Sequence, residues 1–495
     1  MGTENTKPGW AKCQLNEGLE QISGNSSLIK GRLTPEPKPG LYPAFSASGQ
    51  DVWHHEAEYQ GNAIIVSAVG ARCGKAFLAK GAWSAIANTH VLFPNEKALD
   101  TVFAWYLLNN EHFWVKGGSA QPFVKIKASL EKTIGLPPLN EQRRIVAKIE
   151  ELFSELDKGV ESLKTARAQL KTYRQSLLKA AFEGRLTEQW RRDNADKLET
   201  ADQLLERIRE EREARYHQQL EEWKAAVAEW EEDNRQGKKP RKPRANKTVA
   251  INFDDSLENV DGWLWQPLAE ISGPIVDGTH KTPRYVDTGV PFISAKDITD
   301  FSVNFSETRF ISQGEHEALI RRCCPTKSDV LVTKSGTIGR VAVVGTDEPF
   351  SLFESVALVP VPKCMDARFV AYACYFFINS GYAEKTQKGV AVRHLHLEDL
   401  RRLPIPVAPI QEQERVVQII EDNIASTREV ENDIERELAR AEHLRQAILK
   451  RAFEGKLVPQ DPDDEPASRL LERIRQEQVD APKAKRRKRQ TESPA

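Results

Sequence analysis

The sequence of 495 residues contains no long hydrophobic run. No stretch approaches the roughly 20 consecutive apolar residues that a membrane-spanning helix needs. The first residues, "MGTENTKPGWAK", also lack the apolar segment of a secretory signal peptide. We therefore expect a cytoplasmic protein that does not associate with membranes.

Cysteine is scarce and is not spaced as in a metal site or a disulfide framework. The six cysteines form no C-x-x-C pair, so we expect reduced thiols and no bound metal. His394 and His396 form an isolated H-x-H pair. A surface or packing role explains that pair better than a metal site does.

The usual catalytic motifs are missing. Neither N-P-P-[YF] nor D-P-P-[YF] occurs, and no Asp…Glu-x-Lys nuclease cluster stands out. The stretch "GARCGKA" (70–76) has three residues between its glycines where a P-loop has four, and Ala76 replaces the P-loop hydroxyl. A strand-turn-strand is the better interpretation, and we expect a protein without catalytic activity.

A strong basic bias is also missing. The net charge is −1; residues 1–136 carry 13 basic and 11 acidic side chains, and residues 251–404 carry 16 and 20. Domains that bind nucleic acid are commonly basic overall. Any case for DNA binding therefore has to come from another feature.

The sequence does contain a long internal repeat. "LLKAAFEGRL" (177–186) matches "ILKRAFEGKL" (448–457), and "NEQRRIVAKIEEL" (140–152) matches "QEQERVVQIIEDN" (411–423), all in a register of 271 residues. "PGWAKCQLNEG" (8–18) and "GARCGKA" likewise parallel "DGWLWQPLAEI" (261–271) and "GTIGRVA" (336–342). A gap-free register of this length indicates tandem duplication of one structural unit.

Each repeat contains a heptad pattern typical of a coiled coil. In the first copy the predicted seam residues are Ile149, Leu156, Leu163, Leu170 and Leu177, with Leu152, Gly159, Ala166, Tyr173 and Ala180 three positions later. In the second copy they are Ile420, Thr427, Ile434, Ala441 and Ile448. Each helix is about 60 Å long, and the pattern leaves open whether the two pair in parallel or antiparallel.

Strand-like apolar runs bounded by glycine and proline precede each long helix, for example "NAIIVSAVG" (62–70) and "DVLVTKSG" (329–336). We divide the chain into a first globule (1–136), a first long helix (137–186), a polar helix with a basic linker (187–250), a second globule (251–404), a second long helix (405–457), and a short helix with a disordered basic tail (458–495). Trp223 and Trp230 make residues 201–232 either a dock for a partner or a helix packed on its own long helix.

Over nearly its whole length the chain resembles the specificity subunit of a type I restriction-modification system. The most specific matches are "LPPLNEQRRIVAKIEELFSELD", "PIQEQERVVQIIED", the pair "AFEGRL" and "AFEGKL", and "VPQDPDDEPASRLLERIRQE" (458–477). "VDGTHKTPRYVDTGVPFISAKDI" (276–298) also resembles the opening of a target-recognition domain of that family.

This resemblance implies an α+β protein with two mixed α/β target-recognition domains. Two long helices would join them as an antiparallel coiled coil with an internal pseudo-twofold repeat. Each domain would read one half of a split, asymmetric sequence in double-stranded DNA, and the helices would set the unread spacer. Two methylation subunits and two translocase/nuclease subunits would be the partners. S-adenosylmethionine, ATP and Mg²⁺ would bind to those subunits, and no cofactor to this chain.

Candidate DNA contacts in the second globule lie in three polar loops that offer donors to phosphates or base edges. They are Thr279, His280, Lys281, Thr282 and Arg284 in "DGTHKTPR"; Lys334, Ser335, Thr337 and Arg340 in "TKSGTIGR"; and Lys388, Arg393 and His394 in "QKGVAVRHLH". Ordinary solvated loops or a plain hairpin are the alternative interpretation.

The corresponding loops of the first globule are "NSSLIKGR" (25–32), "ARCGK" (71–75) and "KGGSAQPFVK" (116–125). Their candidate contacts are Lys30, Arg32, Arg72, Lys75, Lys116, Ser119 and Gln121. Two other hypotheses remain for the whole chain: a coiled-coil scaffold that binds proteins, and, less well supported, a methylase-nuclease fusion.

Overall fold

The structure is a computed structural model that describes residues 7–233, 235–236, 239–243, 260–299, 301–380 and 395–480. Lys388, Arg393, His394 and the basic tail lie outside the described residues. The chain forms two compact units, Met1–Thr165 with Ile434–Ala495 and Ala166–Asp433. Each unit thus contains one globule and a part of each long helix.

The strands of the first globule form two four-stranded sheets with the orders β2-β9-β6-β7 and β4-β3-β8-β5, and two strand pairs, β1-β12 and β10-β11. Their bounds are β1 Ala11–Gln14, β2 Leu19–Ser23, β3 Tyr42–Ser46, β4 Gly49–His54, β5 Tyr59–Gln60, β6 Ala63–Ser67, β7 Ala76–Ala79, β8 Ala82–Ala85, β9 Thr89–Pro94, β10 Lys116–Gly117, β11 Phe123–Val124 and β12 Thr133–Leu136. The predicted strand in "NAIIVSAVG" is β6, which is buried along its whole length.

The second globule repeats the first sheet with the order β14-β23-β20-β21, and its pair β13-β24 repeats β1-β12. Its second sheet has the order β15-β19-β16-β22, in which the fourth strand, β15, lies on the opposite edge from β5, and the pair β17-β18 comes at a different place in the chain from β10-β11. The bounds are β13 Leu264–Pro267, β14 Val276–Asp277, β15 Tyr285–Val286, β16 Val290–Ile293, β17 Ile298–Thr299, β18 Ser302–Val303, β19 Arg309–Ile311, β20 Val330–Thr333, β21 Val341–Val343, β22 Ser351–Leu352, β23 Val356–Val359 and β24 Pro404–Val407. In both globules the second sheet contains one parallel pair, β3 with β8 and β16 with β22, so the predicted duplication extends to strand pairing.

The helices include two of equal length that begin and end 271 residues apart. The bounds are α1 Leu15–Gly18, α2 Thr101–Leu108, α3 Ile126–Leu130, α4 Leu139–Phe182, α5 Glu188–Asn194, α6 Ala201–Glu232, α7 Leu268–Ile271, α8 Gln313–Ile320, α9 Ala367–Asn379, α10 Leu397–Arg401, α11 Ile410–Phe453 and α12 Ala467–Asp480. Short 3₁₀ turns lie at Lys30–Arg32, Ala195–Lys197 and Ala295–Asp297. The long helices α4 and α11 end before Gly184 and Gly455, which adopt positive φ angles of 69° and 65°.

The two long helices run antiparallel within each unit. In the first unit Arg144, near the start of α4, pairs with Asp464 beyond the end of α11, and Asp157 pairs with Arg445 within α11. In the second unit Arg174 of α4 donates to Thr427 and Glu431 of α11 at 3.1 and 2.8 Å. Arg191, beyond the end of α4, reaches Glu412 at the start of α11. The antiparallel arrangement implied by the family resemblance is therefore confirmed.

The seam of α11 is as predicted, and that of α4 differs in one row. Ile420, Thr427, Ile434 and Ala441 are all buried. On α4, Val160, Arg174 and Ala181 are more buried than the residues directly before them, which the heptad pattern had placed in the seam. Ala166 keeps its predicted place, since Arg167 after it is exposed. The contact row therefore moves by one residue at three positions, which the drift of a straight α-helix relative to a strict seven-residue repeat allows.

A paired tryptophan and glutamate attach each globule to the start of a long helix. Trp10 Nε1 donates to Glu141 Oε1 at 3.0 Å, and Trp263 Nε1 donates to Glu412 Oε2 at 2.9 Å. Both carboxylates are almost completely buried. Glu412 also accepts hydrogen bonds from Thr187 Oγ1 at 2.6 Å and Arg191 Nε at 2.8 Å. Burial raises the pKa of Glu141, although the hydrogen bond from Trp10 opposes the shift.

The next residue of each long helix connects to the helix of its globule. Gln142 accepts from the Asp100 N–H at 2.8 Å, and Gln413 accepts from the Asp366 N–H at 3.0 Å. Asp100 and Asp366 are the N-caps of α2 and α9. The same two-residue sequence, Glu-Gln, therefore orients both globules on their long helices.

The polar helix α6 has the predicted bounds and begins with a capping box at Thr200. Its first turns pack into the core of the second unit, where Leu204 and Ile208 join Val417 of α11. Farther along, Trp223 Nε1 donates to the Pro240 carbonyl at 3.1 Å. The amino-terminal half of α6 thus packs on its own unit, and the basic linker contacts its outer half.

Candidate nucleic-acid interface

The two β-hairpins that carry the predicted contact loops are built alike. In the β6–β7 hairpin the Gly74 N–H donates to the Ser67 carbonyl at 2.9 Å, and in β20–β21 the Gly339 N–H donates to the Thr333 carbonyl at 3.0 Å. Each turn is followed by a strand. "GARCGKA" is therefore the expected strand-turn-strand, because a P-loop leads into a helix.

In the first globule the hairpin turn and the "KGGSAQPFVK" loop lie together. The Gly70 N–H donates to the Pro122 carbonyl at 2.8 Å, and the Val124 N–H donates to the Ala68 carbonyl at 2.9 Å. This arrangement gathers five predicted residues into one region, and all five are exposed: Arg72, Lys75, Lys116, Ser119 and Gln121. Phe123, which the polar character of the loop did not indicate, lies in the same loop and is 42% exposed.

Lys30 and Arg32 lie on a 3₁₀ turn and are both exposed. Lys30 forms an ion pair with Asp51 of β4. Arg72 donates to the Ser48 carbonyl in the turn before β4 at 3.3 Å. The two groups of predicted residues therefore contact the same β3–β4 hairpin.

In the second globule the "DGTHKTPR" loop is anchored at its start and exposed beyond it. The Thr279 N–H donates to the Leu352 carbonyl at 2.9 Å, and Thr279 Oγ1 accepts from the Lys281 N–H at 3.2 Å. His280, Lys281, Thr282 and Arg284 are exposed. Gly278 has no room for a side chain, because a Cβ atom there would collide with the Leu352 backbone.

The β20–β21 turn holds the second set of predicted residues. Thr333 Oγ1 donates to the Thr337 carbonyl at 2.5 Å and accepts from the Arg340 N–H at 2.9 Å. Thr337 and Arg340 are exposed, whereas Lys334 and Ser335 are partly buried. The Lys334 N–H donates to the Ser355 carbonyl at 2.9 Å. Ser355 directly precedes β23 and lies three residues after Leu352, the partner of the "DGTH" loop, so the turn and that loop contact the same segment.

Asp277 links the two loops through a charge cluster that the sequence analysis missed. Lys334 Nζ lies 2.6 Å from Asp277 Oδ2, His280 Nε2 lies 3.2 Å from the same oxygen, and Arg322 pairs with Oδ1. His280 Nδ1 is also 2.7 Å from Glu354 Oε2. No pattern in the sequence indicated this cluster, because Asp277 and Lys334 are 57 residues apart.

The carboxylate at the centre of this cluster is buried, and its side chain is 4% exposed. Burial alone would raise the pKa of Asp277, but the hydrogen bond and charge of Lys334, with Arg322 and His280, hold it below the usual range. Asp277 is therefore ionised at neutral pH. Arg322, which is exposed, also lines a cavity of about 130 Å³ together with Thr279.

Among its described residues, the first globule has no equivalent of this cluster. The bridges Asn25–Ile86 and Thr279–Phe353 occupy matching places in the two globules. Ser23 and Asp277 each lie two residues before the bridge, so Ser23 is the counterpart of Asp277. Ala68 corresponds to Lys334 by its hydrogen bond. The Ala68 carbonyl accepts from the Val124 N–H, and the Lys334 carbonyl accepts from the Leu395 N–H, each two residues before a short helix. The same frame thus presents different chemistry on its two copies.

Within the described residues no group of three or more His, Cys, Asp or Glu side chains is arranged to hold a metal ion. All six cysteines are described, and each is a free thiol. None of the helices in the described ranges has the length and apolar content to cross a membrane.

A family model described as the type I restriction modification DNA specificity domain matches residues 25–165 and 278–440. The first matched segment starts at Asn25, which forms an isolated bridge with Ile86, and the second starts at Gly278, one residue before Thr279, which forms the corresponding bridge with Phe353. Together they cover more than half of the chain.

The chain is also similar to curated proteins over long stretches. It is 27% identical over 354 residues to the type I restriction enzyme EcoBI specificity subunit of Escherichia coli, covering 70% of this chain and 64% of that protein. It is 22% identical over 489 residues to the EcoDI specificity subunit of Escherichia coli, covering 95% of each.

One solved structure supports the fold. A chain from a study of complex assembly and conformational transition of the type I R-M system superimposes with a TM-score of 0.61 at 16% identity. The match covers 92% of this chain and 100% of the other. At this identity the likeness concerns the fold alone.

Proposed function

This chain belongs to the family of type I restriction-modification DNA specificity proteins, and we propose that each of its globules reads one half of a bipartite, asymmetric DNA target. It is a DNA-recognition component and not itself the catalytic subunit. The proposal assigns the first half of the target to the loops around Arg72 and Gln121. It assigns the second half to the loops around His280 and Arg340.

One observation carries this proposal: the two globules share the four-stranded sheet that bears the contact loops but differ in the residues at equivalent loop positions. Ser23 and Ala68 in the first globule correspond to Asp277 and Lys334 in the second. Because base edges are distinguished by the donors and acceptors that face them, unlike loops on one frame suit unlike sequences.

We propose that α4 and α11 set the length of the unread spacer between the two half-sites. Each helix has 44 residues, and the contacts between them fix their register, for example Arg174 with Glu431. Deleting one heptad from both helices is expected to shorten the spacer and to keep both half-sites. An unchanged spacer would exclude this role.

Two methylation subunits and two translocase/nuclease subunits are the proposed partners, with S-adenosylmethionine, ATP and Mg²⁺ bound by those subunits. The nearly neutral charge of this chain agrees with such an assembly. Phosphate contacts supply much of the affinity for DNA, and partner subunits can provide many of them.

Exchange of residues 251–404 for the corresponding block of a relative tests the two-globule proposal. The expected result is a change in one half of the recognised sequence, read from the methylation sites of the host genome, with the other half retained. A change in both halves or in neither would contradict it. A protein-binding scaffold would instead show no sequence-specific, salt-dependent affinity for DNA.

A further inference from the structure

We propose that Asp277 is a positioning residue of the second DNA-reading surface, where its buried carboxylate holds Lys334, Arg322 and His280 in one fixed arrangement. This inference rests on the proposed function of the second globule. It assigns a role to a carboxylate, whose negative charge disfavours a direct contact with phosphate. It also adds Arg322 to the residues of that surface.

The geometry supports this role first through connectivity. The three cationic or basic side chains come from three different segments: the "DGTH" loop, the residues after α8, and the β20–β21 turn. Only the carboxylate of Asp277 contacts all three among the ion pairs of the described residues. Without it, these segments would lose their common electrostatic partner.

Exposure supports it next. The side chain of Asp277 is 4% exposed, whereas those of Arg322 and His280 are 56% and 54% exposed. The carboxylate therefore lies beneath the surface, Lys334 is 17% exposed, and Arg322 and His280 lie at the surface. Arg322 and His280 can still turn unused N–H donors outward, because a guanidinium has five donors and one carboxylate cannot occupy all of them.

Energetics explain why the arrangement would be rigid. Hydrogen bonds between ionised partners are about twice as strong as neutral ones, and burial of one partner strengthens them further. A long lysine or arginine side chain otherwise loses considerable rotamer entropy when it is fixed on DNA. Holding these side chains in place before binding removes part of that loss.

The test compares Asp277→Asn with the wild-type full-length chain on three duplexes: the full target, the target with its second half scrambled, and the target with its first half scrambled. Simple electrostatics predicts that removal of a negative charge tightens binding to all three. If Asp277 instead positions the three side chains, its loss should weaken the binding that depends on an intact second half. The preference for an intact second half should fall about tenfold, and the preference for an intact first half should stay the same.

Asp347→Asn is the matched control, because it removes the same charge from the same globule. Asp347 is 78% exposed, and among the described residues Lys327 is its only ion-pair partner. Its preferences for both halves should equal those of the wild type. If Asp277→Asn behaves like Asp347→Asn, or tightens binding to all duplexes without loss of preference, the inference is wrong.

Arg322→Gln keeps the inference testable if Asp277→Asn does not fold. Because Arg322 is exposed, this variant should melt at the wild-type temperature and yet lose preference for the second half. The double variant should lose no more than Asp277→Asn alone, since both act through one arrangement. Full additivity, or an unaffected Arg322→Gln, would overturn the inference. A wild-type chain without preference for either half would instead contradict the proposed function itself.

Discussion

The two halves of the molecule are nearly identical where a globule meets a long helix and differ where its loops reach the surface. At the helix the pairs Trp10–Glu141 and Trp263–Glu412 have the same geometry. At the loops, Asp277 and Lys334 replace the uncharged Ser23 and Ala68. After duplication, the contacts that orient each globule stayed the same, and the surface it presents diverged.

Even the shared attachment differs in its charge balance. Glu412 is compensated by Arg191, whose guanidinium also lies over the Trp263 ring, 5.3 Å from the centroid. Glu141 has only the Trp10 indole as a hydrogen-bonding side-chain partner among the described contacts, and burial raises its pKa. One buried carboxylate is therefore paired and the other is not, which makes the two copies a natural control for each other.

The largest expected effect follows from removing the negative charge of Glu412, the buried carboxylate that is paired with an arginine. Glu412→Gln leaves the mostly buried Arg191 without its counter-charge and should lower the free energy of unfolding of the second unit by about 3 kcal/mol. Pulse proteolysis in urea, with cleavage sites assigned to each unit, measures the change. Glu141→Gln is the matched variant, and it should cost nothing or stabilise the first unit. Equal losses in the two variants would contradict the charge asymmetry.

The second effect concerns the glycines that end the long helices. Gly184 and Gly455 have positive φ angles, and a Cβ atom would collide with Val260 in one case and with Trp10 in the other. Gly184→Ala and Gly455→Ala should each cost about 2 kcal/mol through backbone strain and the clash. Chemical denaturation of each variant measures this. A loss of stability in only one of the two variants would show that the two helix ends are not equivalent.

A smaller effect is expected from the arginines in the antiparallel helix pair. Arg174 and Arg445 are 271 residues apart, and they pair with Glu431 and Asp157. Partly exposed ion pairs contribute little, so Arg174→Gln and Arg445→Gln should each lower stability by about 0.5–1 kcal/mol. The shift of the urea midpoint measures it. Losses above those of the glycine variants would show that the helix pair depends on these ion pairs.

The smallest effect is the contribution of Glu141 to the pH dependence of the first unit's stability. Because the pKa of Glu141 is raised in the folded chain, the folded state binds its proton more tightly than the unfolded state does. Stability of the first unit relative to Glu141→Gln should therefore rise as the pH falls from neutral towards the usual pKa of a glutamate. Urea midpoints of the two proteins at pH 7.5, about 6 and about 5 give the difference. A constant difference would contradict the raised pKa.

Much of the fold could be predicted from the sequence, because periodicity and local signals determine it. The bounds of α6 and the long helices follow from heptads, capping residues and glycines, and the strands β6, β9, β20 and β23 follow from short apolar runs. The broad apolar face of "DTVFAWYLLNNEHFWV" (100–115) predicts a helix over this whole stretch, but α2 ends at Leu108. Asn109 and Asn110 follow it, and asparagine favours turns over continued helix.

The charge cluster could not be predicted, because its members meet only after the sheet has formed. Lys334 was selected as a free donor from its polar loop, but the fold places it against Asp277. Arg322 was not selected, since a pair of arginines after a helix has no distinctive spacing. Sequence shows which loops are polar, whereas sheet register decides which of their charges face one another.

The first unit is assembled from both ends of the chain, and this has a consequence during synthesis on the ribosome. The Ala467 N–H donates to the Gly9 carbonyl at 2.9 Å, and Ile145 and Ile149 share a core with Ala452 and Leu471. The second unit is one continuous segment that ends at Asp433. At typical translation rates of roughly 5–20 residues per second, the amino-terminal globule waits about 17–67 s for its last core residues. The part of the protein that is made first is therefore the part that is completed last.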